Sequence, residues 1–190
     1  YVPGQGVPLF ELRPPILTGV DWAVKRVFDL VVSVLLVIVG LPLWLLVALA
    51  IKLDSRGPVL YVDRRVGVGE REFGMLKFRT MVPDAAERQA EVETLNEATG
   101  ALFKIRDDPR VTRVGKVLRR LSIDELPQLL NVLRGQMSLV GPRPLPLRDH
   151  ELLDDWHKAR CLVLPGMTGL WQISGRSGLS FDDLVRLDFT

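Results

Sequence analysis

Residues 30–51 have the sequence LVVSVLLVIVGLPLWLLVALAI, an apolar stretch that lies between Asp29 and Lys52 and contains no charged residue. As a helix rising about 1.5 Å per residue, it would extend roughly 33 Å, close to the roughly 30 Å hydrocarbon core of a bilayer. A simple transmembrane helix is one interpretation. A buried helical hairpin in a soluble protein is a weaker one, because the stretch is so strongly hydrophobic.

Gly40 and Pro42 lie in the middle of this stretch, where a proline removes a backbone hydrogen bond and bends a helix. Basic residues flank the stretch on both sides: Lys25 and Arg26 before it, Lys52 and Arg56 after it. Because basic flanks favour the cytoplasmic side, both ends are expected there. We therefore predict that residues 20–56 form a re-entrant helix hairpin in one leaflet, within a membrane-inserted α+β fold that is mostly helical.

The two flanks of this segment differ in composition. Residues 1–19 contain four prolines and three glycines, which predicts a linker from a missing upstream region. Residues 57–190 are expected to form a further domain on the cytoplasmic face. The chain starts without methionine and stops inside an amphipathic run, so we expect a piece of a longer protein with a truncated C-terminus.

Composition excludes several classes of protein. The chain has 190 residues, with Lys+Arg 25 against Asp+Glu 23, and this balance does not suggest a nucleic-acid binder. One cysteine excludes an internal disulfide framework. Two histidines with that cysteine do not make an ordinary structural zinc site.

Alternation and turn residues predict a small β-hairpin after the apolar stretch. Residues 59–66 and 72–78 flank Gly67 and Gly69, and residues 83–98 have the pattern of an exposed helix. From 101 to 120, seven basic residues stand against two acidic ones. That stretch is either a solvated face or an anion site.

The candidate chemistry lies in LRRLSIDELPQLLNVLRGQMSLVGPRPLP, residues 118–146. Ser122 and Glu125 fit a capping box, so one interpretation of Asp124 and Glu125 is a pair of acids in the first turn of a helix. Arg119 precedes the pair by one turn, and Arg143 follows between two prolines that restrict its backbone. Carboxylates among fixed arginines suit attack on a phosphorus centre, with the carboxylate as nucleophile or as ligand of a divalent cation.

Beyond this stretch, PGMTGLWQISGR (165–176) brings Gln172 and Arg176 in a loop-like segment. Together with KRVFDL (25–30), RRVGVGEREFGMLKFRTM (64–81) and residues 103–144, it resembles the catalytic domain of the monotopic phosphoglycosyl transferases, or bacterial sugar transferases. The resemblance extends from about residue 20 to residue 190. One departure is Leu41 before Pro42, where the family typically has Ser-Pro, so the geometry of the bend is less defined than its position.

The resemblance implies a role for each matching residue. Asp124 corresponds to the family's nucleophile and Mg²⁺ ligand, and Glu125 to the partner that assists proton transfer from, or positioning of, the lipid phosphate. The residues implied in binding the nucleotide sugar are Lys77, Arg79, Arg119, Arg143, Gln172 and Arg176.

The implied reaction joins a UDP-sugar to polyprenyl (undecaprenyl) phosphate and releases UMP at the cytoplasmic face of the bacterial inner membrane. The sugar would be a hexose, glucose or galactose, and the product would start exopolysaccharide, capsule or O-antigen assembly. One alternative is the same chemistry with an N-acetylated amino sugar. Another is a membrane-anchored scaffold whose basic stretch binds anionic lipid or nucleic acid without turnover. Membrane lipid is an expected partner, and a homo-oligomer is left open.

Overall fold

The computed structural model describes residues 16–85, 87, 88, 108–151, 153–173, 187 and 188. A long helix α1 (Gly19–Asp54) is followed by strands β1 (Leu60–Val66) and β2 (Glu72–Phe78). The later elements are short: α2 (Arg113–Arg120), α3 (Gln128–Leu133), β3 (Ser138–Val140), α4 (Leu147–Glu151), α5 (Asp155–Lys158), β4 (Gly166–Thr168) and α6 (Leu170–Ile173). This is the predicted α+β, mostly helical fold. Most of the helix predicted at 83–98 lies outside the described residues, as does Arg176.

Helix α1 differs from the predicted hairpin of two helices. It is a single helix of 36 residues with Pro42 inside it. One proline removes one backbone hydrogen bond and bends a helix without having to end it. By length and composition α1 is able to cross a membrane. Most of its apolar side chains are exposed, and its buried residues are Asp29, Ser33, Val47 and Ile51.

The predicted β-hairpin is confirmed within one residue at each end. β1 and β2 pair antiparallel from Leu60 opposite Phe78 to Val66 opposite Glu72. The strands are joined through the 3₁₀ turn Val68–Glu70, where Gly69 has a φ of 63°. Lys77 pairs with Tyr61, which is two residues from Asp63 along β1, so Asp63 and Lys77 lie on the same face of this hairpin.

Two sets of contacts fix α1 to the rest of the chain. In the first, which we call the polar clamp, Lys25 donates to Asp29 at 2.6 Å and to Ser138 of β3 at 2.5 Å, and Ser138 donates to Asp29 at 2.8 Å. Asp29 is 1% exposed, so this pairing offsets the cost of burying its charge.

The second set, the apolar clamp, comprises Val47 and Ile51 of α1 with Phe78 and Leu118. The ring of Trp44 packs edge-to-face on Phe78, with 5.8 Å between centroids. The two clamps lie on either side of residues 34–43, so the globular part of the chain lies alongside α1 rather than at one end of it.

A short parallel pair, β3 with β4, completes the frame of the site. Gly141 follows β3 and approaches Gly166 so closely that a Cβ on Gly166 would lie 2.2 Å from the Gly141 nitrogen. Gly166 also donates to the Pro142 carbonyl at 2.8 Å. This close backbone contact sets the position of the Gly-Pro-Arg-Pro segment that carries Arg143.

Candidate active site

Asp124 and Glu125 lie in a 3₁₀ turn, Ile123–Glu125, that precedes α3. Ser122 before it has a φ of 57° and makes no capping hydrogen bond through its side chain. The capping-box interpretation is therefore wrong. Positive φ is uncommon for residues other than glycine and is concentrated at functional sites. The turn separates the two carboxylates from α3 instead of using them to cap a helix.

Glu125 is paired with Arg143. Arg143 Nη2 contacts Glu125 Oε1, and Nη1 donates to Oε2 at 3.3 Å, so the guanidinium spans both carboxylate oxygens. Arg143 lies between two prolines, and its carbonyl accepts a hydrogen bond from Arg160 at 2.9 Å. With a restricted backbone and an anchored carbonyl, Arg143 is pre-positioned for a forked contact with an anion.

Lys77 lies between the carboxylates of Asp63 and Glu125. Its Nζ is 3.9 Å from Glu125 Oε1 and 3.7 Å from Asp63 Oδ2. Burial lowers the pKa of Lys77, as do Arg65 and Arg143, whereas Glu125 and Asp63 oppose this change. Several cations therefore share a small volume, which favours the arrival of an anionic ligand.

Asp63 and Arg65 belong to the same network and were missed by the sequence reasoning. Arg65 Nε donates to Asp63 at 2.9 Å, and Arg65 Nη1 donates to the Pro144 carbonyl at 3.2 Å. The signal was present in the sequence, because Asp63 and Arg65 are two apart on a predicted strand and so share a face. The sequence did not show that this face of β1 lies against Lys77 and the segment that carries Arg143.

The pKa of Asp124 is raised, first by burial and then by the adjacent Glu125, while Lys77 and Arg119 lower it. Arg119 itself is exposed, and its Nε donates to Thr80 Oγ1 at 2.9 Å. The two cations favour the ionised carboxylate, but burial and the charge of Glu125 outweigh their effect on the pKa of Asp124.

The donor set fits Mg²⁺ held with substrate rather than in a closed protein cage. No group of three or more acidic, histidine or cysteine side chains able to hold a metal occurs among the described residues. Mg²⁺ is commonly bound by one or two carboxylates plus substrate phosphates. The adjacent carboxylates Asp124 and Glu125 match that pattern.

The other predicted binding residues are in different surroundings. Arg79 is turned to the end of α1, where its guanidinium donates to the carbonyls of Ser55 and Arg56, each at 2.8 Å. Gln172 is buried and lines the cavity next to Glu125. The structure therefore brings Lys77, Arg119, Arg143 and Gln172 around the carboxylates, and gives Arg79 a role in holding the segment after α1.

A cavity of about 450 Å³ joins Glu125 to the apolar helix. One wall comes from α1 and the opposite wall from the turn, α3 and the β3–β4 region. The lining residues are Leu36, Val39, Gly40, Trp44, Ser122, Glu125, Leu126, Leu129, Leu139, Met167, Thr168 and Gln172. An apolar passage that ends at a charged site suits a ligand with a long apolar tail and an anionic head.

Comparison with known proteins extends this description. The chain is 50% identical over 187 residues to an undecaprenyl-phosphate glucose phosphotransferase of Komagataeibacter xylinus, covering 94% of this chain and 33% of that protein. It is 45% identical to exopolysaccharide production protein ExoY of Sinorhizobium fredii, covering 86% and 74%. It is also 45% identical to the UDP-glucose:undecaprenyl-phosphate glucose-1-phosphate transferase of Caulobacter vibrioides, covering 96% and 67%.

The chain thus spans a third of the Komagataeibacter protein and about three quarters of the Sinorhizobium one. The family model for bacterial sugar transferases matches residues 20–190, from the start of α1 through both carboxylates and Arg143. The chain belongs to the bacterial sugar transferase family.

Proposed function

We propose that this chain transfers a sugar-1-phosphate from a UDP-sugar to polyprenyl phosphate and releases UMP. The observation that carries the proposal is the position of Glu125, which follows Asp124 in the chain and lies between the cations Lys77 and Arg143 and an apolar cavity walled by α1. The cations suit a diphosphate, and the cavity suits a prenyl chain. The names of the relatives from Komagataeibacter and Caulobacter favour glucose as the sugar.

The first step is attack by an Asp124 carboxylate oxygen on the β-phosphorus of the UDP-sugar. The bond from that phosphorus to the bridging oxygen breaks, and UMP leaves with the electron pair. Sugar phosphate is then bound to Asp124 as an acyl phosphate. Arg143 and Arg119 offset the charge on the phosphate oxygens, and Lys77 contributes to the same field. Asp124 would hold Mg²⁺, which when bound neutralises the diphosphate.

In the second step a phosphate oxygen of the lipid attacks the same phosphorus. The bond to Asp124 breaks, the carboxylate is restored, and a polyprenyl-diphosphate-sugar forms. Glu125 faces the cavity and is held by Arg143 and Lys77, so it is placed to accept a proton from the lipid phosphate. The alternative is a single displacement in which Asp124 only holds the metal.

The two clamps support a proposal for how the chain lies in the membrane. The polar clamp and the apolar clamp attach the same globular part to α1 near both of its ends. A helix perpendicular to the membrane and crossing it fully would draw this charged part into the hydrocarbon, at a high cost. We therefore place α1 within one leaflet, bent at Pro42, with both ends and the carboxylates at the cytoplasmic face.

The mechanism is tested by omitting the lipid acceptor. Wild-type protein with Mg²⁺ and UDP-glucose should release UMP in an amount stoichiometric with the protein and retain labelled sugar phosphate on Asp124. Asp124→Asn should abolish this burst, whereas Glu125→Gln should slow full turnover and leave labelling. Asp84→Asn, at an exposed carboxylate outside the site, is the matched control.

If the wild-type protein turns over with lipid but gives neither UMP nor adduct without it, the single displacement is correct. If no UDP-sugar in a panel that includes N-acetylated amino sugars gives UMP with polyprenyl phosphate, the scaffold alternative is favoured. Topology is tested separately by labelling cysteines introduced at residues 18 and 56. Labelling of one of them from the periplasmic side would contradict the one-leaflet arrangement.

A further inference from the structure

Thr80 carries a buried hydroxyl that the proposed chemistry does not use. The residue lies just after the end of β2 and is 7% exposed. Its Oγ1 accepts a hydrogen bond from Nε of Arg119 at 2.9 Å. Arg119 is exposed and lies in the last turn of α2. A buried acceptor on one segment therefore holds the inner nitrogen of a guanidinium that comes from another.

The backbone around Thr80 is fixed by hydrogen bonds to the segment that leads into α2. The Thr80 carbonyl accepts from the Thr112 nitrogen at 3.0 Å, and the Val82 nitrogen donates to the Arg110 carbonyl at 2.9 Å. Thr80 is also β-branched, which restricts the rotation of its side chain about χ1. The hydroxyl of Thr80 is therefore a rigid acceptor.

Helix α2 approaches Thr80 with one face. A Cβ on Gly115 would lie 2.1 Å from the Thr80 carbonyl oxygen, so the backbones are in close contact at that point. Arg119 follows Gly115 by four residues and lies on the same face of α2, one turn further along. The close contact at Gly115 thus brings the base of the Arg119 side chain next to the Thr80 hydroxyl.

The hydrogen bond from Nε leaves the outer end of the Arg119 guanidinium available. Among the described residues, Nη1 and Nη2 of Arg119 have no hydrogen-bond or ion-pair partner. Because a guanidinium is planar and its donors form a rigid fork, fixing Nε orients both Nη groups. Burial and Glu125 raise the pKa of Asp124 and the charge of Arg119 lowers it, so the fork lies within electrostatic range of the proposed nucleophile.

We propose that Thr80 is a positioning residue, which orients Arg119 so that Nη1 and Nη2 make a forked contact with a phosphate of the nucleotide sugar. Thr80 acts through Arg119 and touches no reacting atom. A guanidinium that is oriented beforehand loses less freedom on binding and needs no reorganisation as charge develops on the phosphate oxygens. The identity of this phosphate rests on the transfer reaction proposed above.

The test compares two substitutions of Thr80 in the full chain. Thr80→Val keeps the branched shape and removes the hydroxyl, whereas Thr80→Ser keeps the hydroxyl. The readouts are kcat/KM for UDP-glucose in UMP release and the affinity for UDP with Mg²⁺ by calorimetry, which needs no turnover. We expect Thr80→Val to lower both by about 3- to 12-fold, the equivalent of one hydrogen bond, and Thr80→Ser to stay close to the wild type.

A double-mutant cycle distinguishes positioning of Arg119 from a structural role. Lysine has no counterpart of Nε, so in an Arg119→Lys background Thr80→Val should change neither readout further. Thr112→Val is the matched control. It removes another hydroxyl that contacts α2, since Thr112 Oγ1 accepts from the Gly115 nitrogen at 3.0 Å. It should lower the thermal midpoint and leave kcat/KM and UDP affinity near those of the wild type.

Each result bears on Thr80 or on the reaction in a different way. If the wild type turns over and Thr80→Val keeps its kcat/KM and UDP affinity, the role of Thr80 is wrong and the reaction stands. An equal loss in the Arg119→Lys background, or in Thr112→Val, shows that the hydroxyl acts through the packing of α2 and also overturns the role. If the wild type releases no UMP, the reaction is wrong, and the UDP affinities alone decide the role of Thr80. Absence of UDP binding to the wild type contradicts both.

Discussion

Replacing Arg143 with lysine separates a forked contact from mere positive charge. Arg143 bridges both oxygens of Glu125 through Nη1 and Nη2, and its backbone is held by Pro142, Pro144 and the hydrogen bond from Arg160. Lysine keeps the charge but presents a single nitrogen on a flexible stem. With Glu125, the variant therefore keeps only one of the two charge-assisted contacts. The same loss applies to a substrate phosphate that takes the place of Glu125.

One charge-assisted hydrogen bond contributes about 1.5–3 kcal/mol, which corresponds to roughly 10- to 150-fold in rate. The Arg143 and Glu125 side chains are 26% and 23% exposed, so water screens the contact in part and we expect the lower half of that range. Arg143→Lys should therefore reduce kcat/KM for UDP-glucose by about 10- to 40-fold. The thermal midpoint should stay near that of the wild type, because the backbone anchors do not involve the side chain.

The assay is UMP release with saturating polyprenyl phosphate in detergent, over a series of UDP-glucose concentrations. Arg148→Lys is the matched control, since Arg148 is exposed and lies outside the site. Activity close to wild type in Arg143→Lys would refute the reasoning, and Arg143 would then act only through the general field. A large fall in the thermal midpoint would show instead that the side chain is structural.

Three further predictions concern stability. Asn131→Leu removes the side chain that binds two backbone groups of β2 at 2.9 and 2.8 Å, and the two orphaned groups should cost about 2–6 kcal/mol in urea unfolding. Gly115→Ala should prevent stable folding, seen as a lost thermal transition, because its Cβ would lie 2.1 Å from the Thr80 carbonyl oxygen. Burial raises the pKa of Asp188 to about 6 despite Arg160, so the stability it contributes is full below about pH 4 and is lost as the pH rises through about 6. Asp188→Asn should flatten the thermal midpoint against pH across that window.

Features set by local pattern were predictable from the sequence. Alternation and two glycines located the hairpin within a residue, since period-two patterning and turn residues act over a few positions. The uncharged stretch located α1, and the acidic pair followed by Arg143 located the centre of the site. Each of these signals lies within a short window of the chain.

Features set by contacts between distant residues were not predictable. A capping box is a local pattern that needs the Glu125 carboxylate to bond the backbone of Ser122. In the structure that carboxylate pairs instead with Arg143, 18 positions away. Lys77 and Arg79 would point to the same face if the strand continued through both residues. Strand β2 ends at Phe78, between them. Arg79 therefore turns to the carbonyls after α1, whereas Lys77 stays in the site.

The two clamps on α1 explain how the helix is held in place as a wall of the cavity beside Glu125. The α1 residues that line the cavity lie between 36 and 44, after the polar clamp and before the apolar clamp residues Val47 and Ile51. If α1 were attached by one clamp only, it would tilt relative to the rest of the chain. The distance between Glu125 and a phosphate bound in the cavity would then vary. Since reaction rates depend on the placement of reacting atoms within about 1 Å, holding both sides fixes the depth at which a phosphate on an apolar tail meets the carboxylates. Weakening the buried Asp29 pairing should therefore raise the KM for the lipid more than the KM for the nucleotide sugar, because in the proposed reaction only the lipid lies against α1.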